Sequence, residues 1–329
     1  MQLPLGIDNY SLRACGWNAA QLIDYAASLR LEVLMLSDLD VFGNRDEVHL
    51  RELRLRAADH GLALQVGMLS ICPSSVLFDA RRGTAEKQLR EAIRVAVAVG
   101  SPLARCVLGI VHDRRSVGGI EARIAETVAV LQNVRSFARD HGVKVAVENH
   151  AGDLQARELL GLIDAAGRDW VGALVDAGNA TWALEEPLRN LELLAAVALT
   201  TGIRDSMLWP TPDGAMLQWA AVGEGMVDFK TYFTQFARLC PQVPVILETI
   251  SGRPIPMPLR TPVFWDAYPG DNACEFADFA AWIKRGQPRP PFVPPAGAAG
   301  ALAEQEFQRA ELERSVRYCR EVLGLGRKS

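Results

Sequence analysis

The 329-residue sequence predicts a (β/α)8 barrel followed by a proline-rich segment and one more helix. Two observations carry this. The segments AADHGLALQV at 57–66 and ARDHGVKVAV at 138–147 each read as a helix that stops at His-Gly and passes into a strand of alternating apolar residues. That is the helix-to-strand junction of a parallel sheet. Strand patterns also recur eight times, at 3–8, 33–37, 62–68, 104–109, 143–149, 171–176, 199–205 and 243–249. Helical patterns lie between them at 18–29, 45–60, 84–99, 118–141, 155–166, 184–197, 228–239 and 275–285. Eight alternations over residues 1–286 match the roughly 250 residues of such a barrel. An open doubly wound sheet fits less well, because no G-x-G-x-x-G opens a helix after the first strand.

Taken in order, the first strand puts Gly6 and Asp8 on one face, with Tyr10 beyond them. The third and fifth strands follow the two His-Gly stops. The fourth and sixth follow weaker copies of the same junction, AVAVGSPLARCVLG from Ala96 and AAGRDWVGALVD from Ala165. On the fifth strand Val143, Val145 and Val147 share the face suited to the helix layer, which sends Ala146, Glu148 and His150 inward and towards the mouth. The sixth strand ends at Asp176, the seventh runs through TTGIRD, and the eighth ends at Glu248. Beyond the barrel, QPRPPFVPP at 287–295 cannot continue a helix and reads as an extended surface segment, and 297–300 adds a flexible break. Residues 304–323 then form a helix with Phe307, Leu312, Val316, Cys319 and Leu323 on one face. This second unit, 287–329, either packs back on the barrel or makes a homo-oligomer contact.

With 49% hydrophobic and 7% aromatic residues the chain buries a large core. Thirty-five Lys and Arg against 39 Asp and Glu give a net charge of −4, without the basic footprint that nucleic acid requires. No apolar run approaches the ~20 residues of a membrane span, and the opening MQLPLGIDNYSL has no leader pattern, so a cytoplasmic protein is expected. The six cysteines have no C-x-x-C spacing and are expected to be reduced.

In such a barrel the chemistry sits where strands end, and three strands end in a lone acid: Glu148, Asp176 and Glu248. One such acid reads as a cap or an ion pair. Three converging acids repel one another unless a cation neutralises them, and an all-oxygen set suits Mg2+ or Mn2+ better than zinc. Such an ion acidifies a C–H beside a carbonyl, with Glu148 and Glu248 as acid and base on the two faces of the enediolate.

The sequence resembles the xylose-isomerase-like barrels, a family with sugar isomerases, sugar epimerases and endonuclease IV among its members. The motifs are VAVENHAGD at 145–153, LVDAGNATWALEEP at 174–187, TTGIRDS at 200–206, VGEGMVDF at 222–229 and VILE at 245–248. The resemblance implies one divalent metal bound by Glu148, Asp176 and Glu248. It also exposes two departures. Gly202 stands where the family places a metal-binding His on the seventh strand, and Asn179 stands where many sugar epimerases place another His. Arg204 shares the face of Gly202 and meets either an anionic substrate group or a strand-end acid.

Among the histidines, His49, His60 and His141 read as structural, while His150 faces the mouth as a catalytic residue that binds substrate or transfers a proton, and His112, with Asn179, is expected to touch substrate. Asp8 either bonds a substrate hydroxyl or caps a helix. The aromatic loop 209–219 and the segment 262–268 read as pocket walls or as packing over the barrel top. The expected function is a metal-dependent isomerase or epimerase of a sugar or keto-sugar acid. The alternatives are a lyase that uses the same enediolate, on a 3-oxo sugar acid or a 3-keto-glycoside, and a metal-free binding protein. Five histidines and the acidic balance exclude a multinuclear zinc endonuclease.

Overall fold

The structure is a computed structural model that describes residues 3–268, 270 and 273–327, the side chains of 273–275 excepted. Seven parallel strands follow one another around the sheet: β1 Leu5–Asp8, β2 Val33–Leu36, β3 Ala63–Ser70, β4 Leu103–Val107, β5 Lys144–Glu148, β6 Val171–Asp176 and β7 Ala198–Gly202. A hairpin, β8 Asp205–Thr211 and β9 Gly214–Ala220, then leaves the barrel. The eighth barrel strand, β10 Val245–Leu247, pairs with β1 in parallel, Leu5 opposite Val245. A last strand, β11 Pro254–Met257, joins the hairpin as a three-stranded antiparallel sheet. Closure between β7 and β10 runs through Ile203, whose N–H donates to Ile246 O at 2.7 Å and whose carbonyl accepts from Glu248 N at 3.0 Å. The Thr201 hydroxyl completes it, accepting from Ile246 N at 2.8 Å.

Six ring helices alternate with the first strands as expected: α1 Ala19–Ser28, α2 Glu47–Asp59, α3 Ala85–Val99, α4 Gly119–Asp140, α5 Ala156–Ala166, and, after the short α6 Ala177–Trp182, α7 Pro187–Leu194. Local chemistry sets their ends. Asn18 caps α1 and Thr84 caps α3, each accepting from the backbone N–H three residues on. Both His-Gly repeats end as read: after α2 and α4 the chain turns at Gly61 and Gly142, at φ of 64° and 66°, into β3 and β5.

The period of two sorts the strands between two cores. Val145, Val147, Ala173, Val175, Val245 and Leu247 join the large cluster between sheet and helices. Val33, Met35, Leu103, Ala146, Leu174 and Ile246 form a small cluster inside the barrel. The interior is thus plugged with hydrocarbon below the strand ends and leaves its upper end to polar residues.

The C-terminal third departs from expectation. The segment 209–219 is a β-hairpin rather than a loop, because Trp209 pairs with Met216 across the two-residue turn Pro212-Asp213. After α8 Phe229–Leu239 and the one-turn α9 Pro262–Trp265, helix α10 Ala273–Ile283 sends Phe279, Trp282 and Ile283 into a cluster with that hairpin. The helix that returns to the main core is α11 Ala298–Glu321, through Leu312, Val316 and Cys319. The barrel therefore draws its eighth helix from the expected tail. The face that offered a subunit contact is used within the chain. The expected break at 297–300 is instead the start of α11, and Gly300 is packed so tightly that an added Cβ would lie 2.2 Å from Pro295 O. Extended residues before it are pinned by Phe292, which stacks on Phe307 at 3.9 Å. No helix among the described residues is long and apolar enough to cross a membrane.

Candidate active site

Four acids and two arginines meet above the hydrocarbon plug, all of them buried: Asp8, Glu148, Asp176 and Glu248 with Arg105 and Arg204. Each arrives by strand alternation. Asp8 ends β1, Arg105 lies mid-way along β4 with Leu103 on the same face, Glu148 and Asp176 end β5 and β6, and Glu248 follows β10.

Arg105 binds Glu148, with Nε donating to Oε2 at 2.6 Å and Nη2 pairing with the same oxygen. Its Nη1 donates to Met68 O at 3.1 Å. Asn179 Nδ2 donates to the other oxygen of Glu148 at 3.0 Å, so both oxygens of this carboxylate are engaged. Arg204 Nη2 donates at once to Asp176 Oδ2 and Glu248 Oε2. The guanidinium lies 4.6 Å above the Trp219 ring, and Trp219 Nε1 is held by Gly178 O at 2.9 Å. Of the two readings for Arg204, the structure takes the ion pair with strand-end acids.

Burial dominates the electrostatics. It pushes Asp8 up to about 7, with Glu248 adding to the rise and Arg105 opposing it. It raises Asp176 despite Arg204, with Glu148 and Glu248 adding to the effect. Asp8 accepts from Ser37 Oγ at 2.7 Å and from Tyr10 N, so it caps the turn at Asn9–Cys15 while facing the cluster. Asp176 likewise caps α6, accepting from Asn179 N at 2.7 Å.

His150 lies just past β5, at the rim of the cluster, where burial lowers its pKa. Its Nδ1 is 2.7 Å from Gly109 O. A carbonyl only accepts, so Nδ1 carries the proton and Nε2 of the neutral ring is an acceptor. Asp153, fully buried, accepts from the N–H groups of Gly109, His150 and Leu154 and so ties the β4 and β5 ends together. His112 is exposed in the turn after β4 and has no side-chain hydrogen bond with the cluster among the described residues.

Sequence reasoning missed Arg105 and the part played by Gly178, while Trp219 lies in the aromatic segment 209–219 that was read as a pocket wall or as packing. A signal for Arg105 was present: a lone charge inside the apolar strand LARCV is costly to bury without an opposite charge. Two buried polar atoms at the site have no hydrogen-bond partner among the described residues: Arg204 Nε and Asn179 Oδ1.

By donor type and spacing Glu148, Asp176 and Glu248 could hold a metal ion, since one oxygen from each lies within 4.8 Å of the others. The side chains as placed oppose it. An ion bridging Asp176 and Glu248 would need the place that Arg204 Nη2 fills, and Gly202 supplies no ligand. A Cβ added at Gly202 would lie 2.8 Å from Asp176 Oδ2. An ion shared by Asp176 Oδ2 and Glu248 Oε2 fits only with Arg204 withdrawn.

The chain resembles a 3-oxo-isoapionate decarboxylase of Pectobacterium atrosepticum, with 23% identity over 186 residues, 56% of this chain and 60% of that protein. Two solved structures share the fold: a D-psicose 3-epimerase crystallised with D-fructose, at TM-score 0.63, 13% identity and coverage of 98% of this chain and 100% of that one, and an IOLI protein with a bound zinc atom, at TM-score 0.59, 13% identity and coverage of 85% and 95%. Residues 11–284 match the model of the xylose isomerase-like TIM barrel. With eight parallel strands closed by Ile203 and a polar cluster at their ends, the chain belongs to the xylose isomerase-like TIM barrel family.

Proposed function

We propose that this chain is a lyase that decarboxylates a 3-oxo sugar acid. The observation that carries this reading is that both oxygens of Glu148 are engaged, by Arg105 and Asn179, while Arg204 holds Asp176 and Glu248. Epimerisation and isomerisation move a proton at a carbon beside a carbonyl and need a free base aimed at that carbon. Decarboxylation of a β-keto acid needs none. The bond between the carboxyl carbon and its neighbour breaks, carbon dioxide leaves, and the electron pair passes to the ketone oxygen as an enolate. The requirements are a cation near that oxygen and then one proton for the carbon.

Arg204 supplies the cation, and its unpaired Nε supplies a donor. Asp8, pushed up to about 7, still holds a proton near neutrality and delivers it to the carbon, to be reloaded from water. Asn179 Oδ1 remains for a substrate hydroxyl, and Trp182 with Trp219, edge-on at 5.5 Å, forms an apolar wall. The named activity of the Pectobacterium relative supports this substrate class.

A second reading is an isomerase or epimerase that binds Mn2+ or Mg2+ at Glu148, Asp176 and Glu248. The spacing of that triad favours it. Incubating the protein with a panel of 3-oxo sugar acids and ketoses in D2O separates the two. Carbon dioxide release with one deuterium in the product is the expected result. Deuterated epimers without carbon dioxide would establish the second reading, and no turnover on either panel would leave a binding protein.

A further inference from the structure

We infer that Arg204 is the resident cation of this site, taking permanently the place a divalent metal would occupy among Asp176, Glu248 and Glu148. The inference rests on the reading that the barrel-mouth cluster is the active site, and it is incompatible with the metal-binding second reading there. Two oxygens that could bind an ion, Asp176 Oδ2 and Glu248 Oε2, both accept from the same Nη2 of Arg204. Ion and guanidinium exclude each other from that point.

The seat for the guanidinium is built into three elements. On α6, a Cβ added at Gly178 would fall 2.1 Å from Arg204 Cγ and 2.5 Å from Cδ, so any other residue there would block the path of the side chain. On β9, the Trp219 ring lies under the guanidinium, is fixed to Gly178 O and stacks edge-on against Trp182. On β7, Gly202 leaves unfilled the volume beside Asp176 that a side chain would enter. The third carboxylate, Glu148, is held the same way by Arg105, which passes over Gly67 at a position where an added Cβ would be 3.1 Å from Arg105 Cδ. A mobile surface arginine has no such cradle. Both arginines are buried, Arg204 with 1% of its surface exposed. Aromatic faces and carboxylates are the partners that retain a guanidinium once it is desolvated.

A cation fixed by the fold supplies positive charge at the carbonyl oxygen without coordination. Unlike an ion, it cannot be removed by a chelator.

The test uses the full-length protein. Metal content is measured by mass spectrometry after purification without chelator, and Mn2+ binding is followed by electron paramagnetic resonance and by the shift in Tm. The wild type is expected to carry less than about 0.1 equivalent of divalent metal and to show no saturable Mn2+ site below roughly 1 mM. Arg204→Met frees the carboxylates of Asp176 and Glu248 beside Glu148 and is expected to gain a Mn2+ site at least about tenfold tighter than any in the wild type, with a Tm that rises on adding Mn2+. Should that variant fail to fold, Arg204→Gln is used in its place. One equivalent of tightly bound metal in the wild type overturns the inference, as does a folded Arg204 variant that gains no site. Both readouts are independent of substrate, so absence of decarboxylation alone would count against the proposed function and not against Arg204.

Discussion

Gly178 and Arg204 occupy one volume between them: an added methyl at Gly178 would stand 2.1 Å from Cγ of Arg204, and the glycine carbonyl holds the indole on which the guanidinium rests. The turn after β6 is thus shaped by a side chain from the segment after β7. The consequence is a cation whose position is decided by backbone.

Gly178→Ala is expected to dislodge Arg204 while leaving the barrel folded. Overpacking of this kind costs about 1–3 kcal/mol. Urea unfolding should show a loss in that range, and kcat/KM should fall about a hundredfold or more as the cation leaves its place. A variant with full activity would mean that Arg204 does not act at the reacting oxygen.

Arg105 and Glu148 are both buried, so removing one partner strands the other. Arg105→Met should destabilise the protein by about 3–5 kcal/mol, and Arg105→Met combined with Glu148→Gln should recover much of that loss. Chemical denaturation of the two singles and the double gives the coupling directly. Additive losses would show that the pair carries no mutual interaction.

His150 bonds Gly109 O through Nδ1 and presents Nε2 as an acceptor at the rim of the site. His150→Ala should lower turnover about a hundredfold if Nε2 accepts from substrate or relays a proton, with Tm changed little. A lowered Tm with intact kcat/KM in the folded fraction would assign the ring to holding the β4 turn.

Asp8 gives a pH dependence whose sign is fixed. Its folded value, about 7, lies above the ordinary 3.8, so the stability linked to its protonated form is complete below pH 4 and is lost as pH rises towards 7. The groups acting on it are Glu248, Arg105, Ser37 and the Tyr10 amide. Wild-type Tm should fall between pH 5 and pH 8 more steeply than that of Asp8→Asn. Turnover should decline above about pH 7 as the proton donor is lost. Parallel Tm curves for the two proteins would remove Asp8 as the titrating group.

Gly202→His tests the strand position where the family places an imidazole. With Arg204 in place the new side chain presses on Asp176 Oδ2 and should destabilise the protein without creating a metal site. Gly202→His with Arg204→Ala should bind Mn2+ more tightly than Arg204→Ala alone, read by calorimetry. Equal affinity would place the imidazole outside the ligand sphere.

The barrel was legible in the chain because its periodicities are local. His-Gly stops before β3 and β5, alternating apolar residues, and a carboxylate at the end of the fifth, sixth and eighth barrel strands all follow from backbone geometry acting over a few residues. For the same reason Val145 and Val147 were assignable to the helix layer, and Glu148 to the interior. Tertiary structure alone decided the rest. Whether Arg204 met a substrate or Asp176 and Glu248 depended on Gly178 and Trp219, which reach it from other elements. Arg105 and Glu148 lie 43 residues apart and become partners only when β4 and β5 pair. Choosing α11 over α10 as the eighth ring helix was a contest between two amphipathic faces. The hairpin of β8 and β9 won α10 by offering Trp219, Leu217 and Leu208. Periodicity shows that a face will be buried, but the partner that buries it is settled by competition among surfaces distant in sequence.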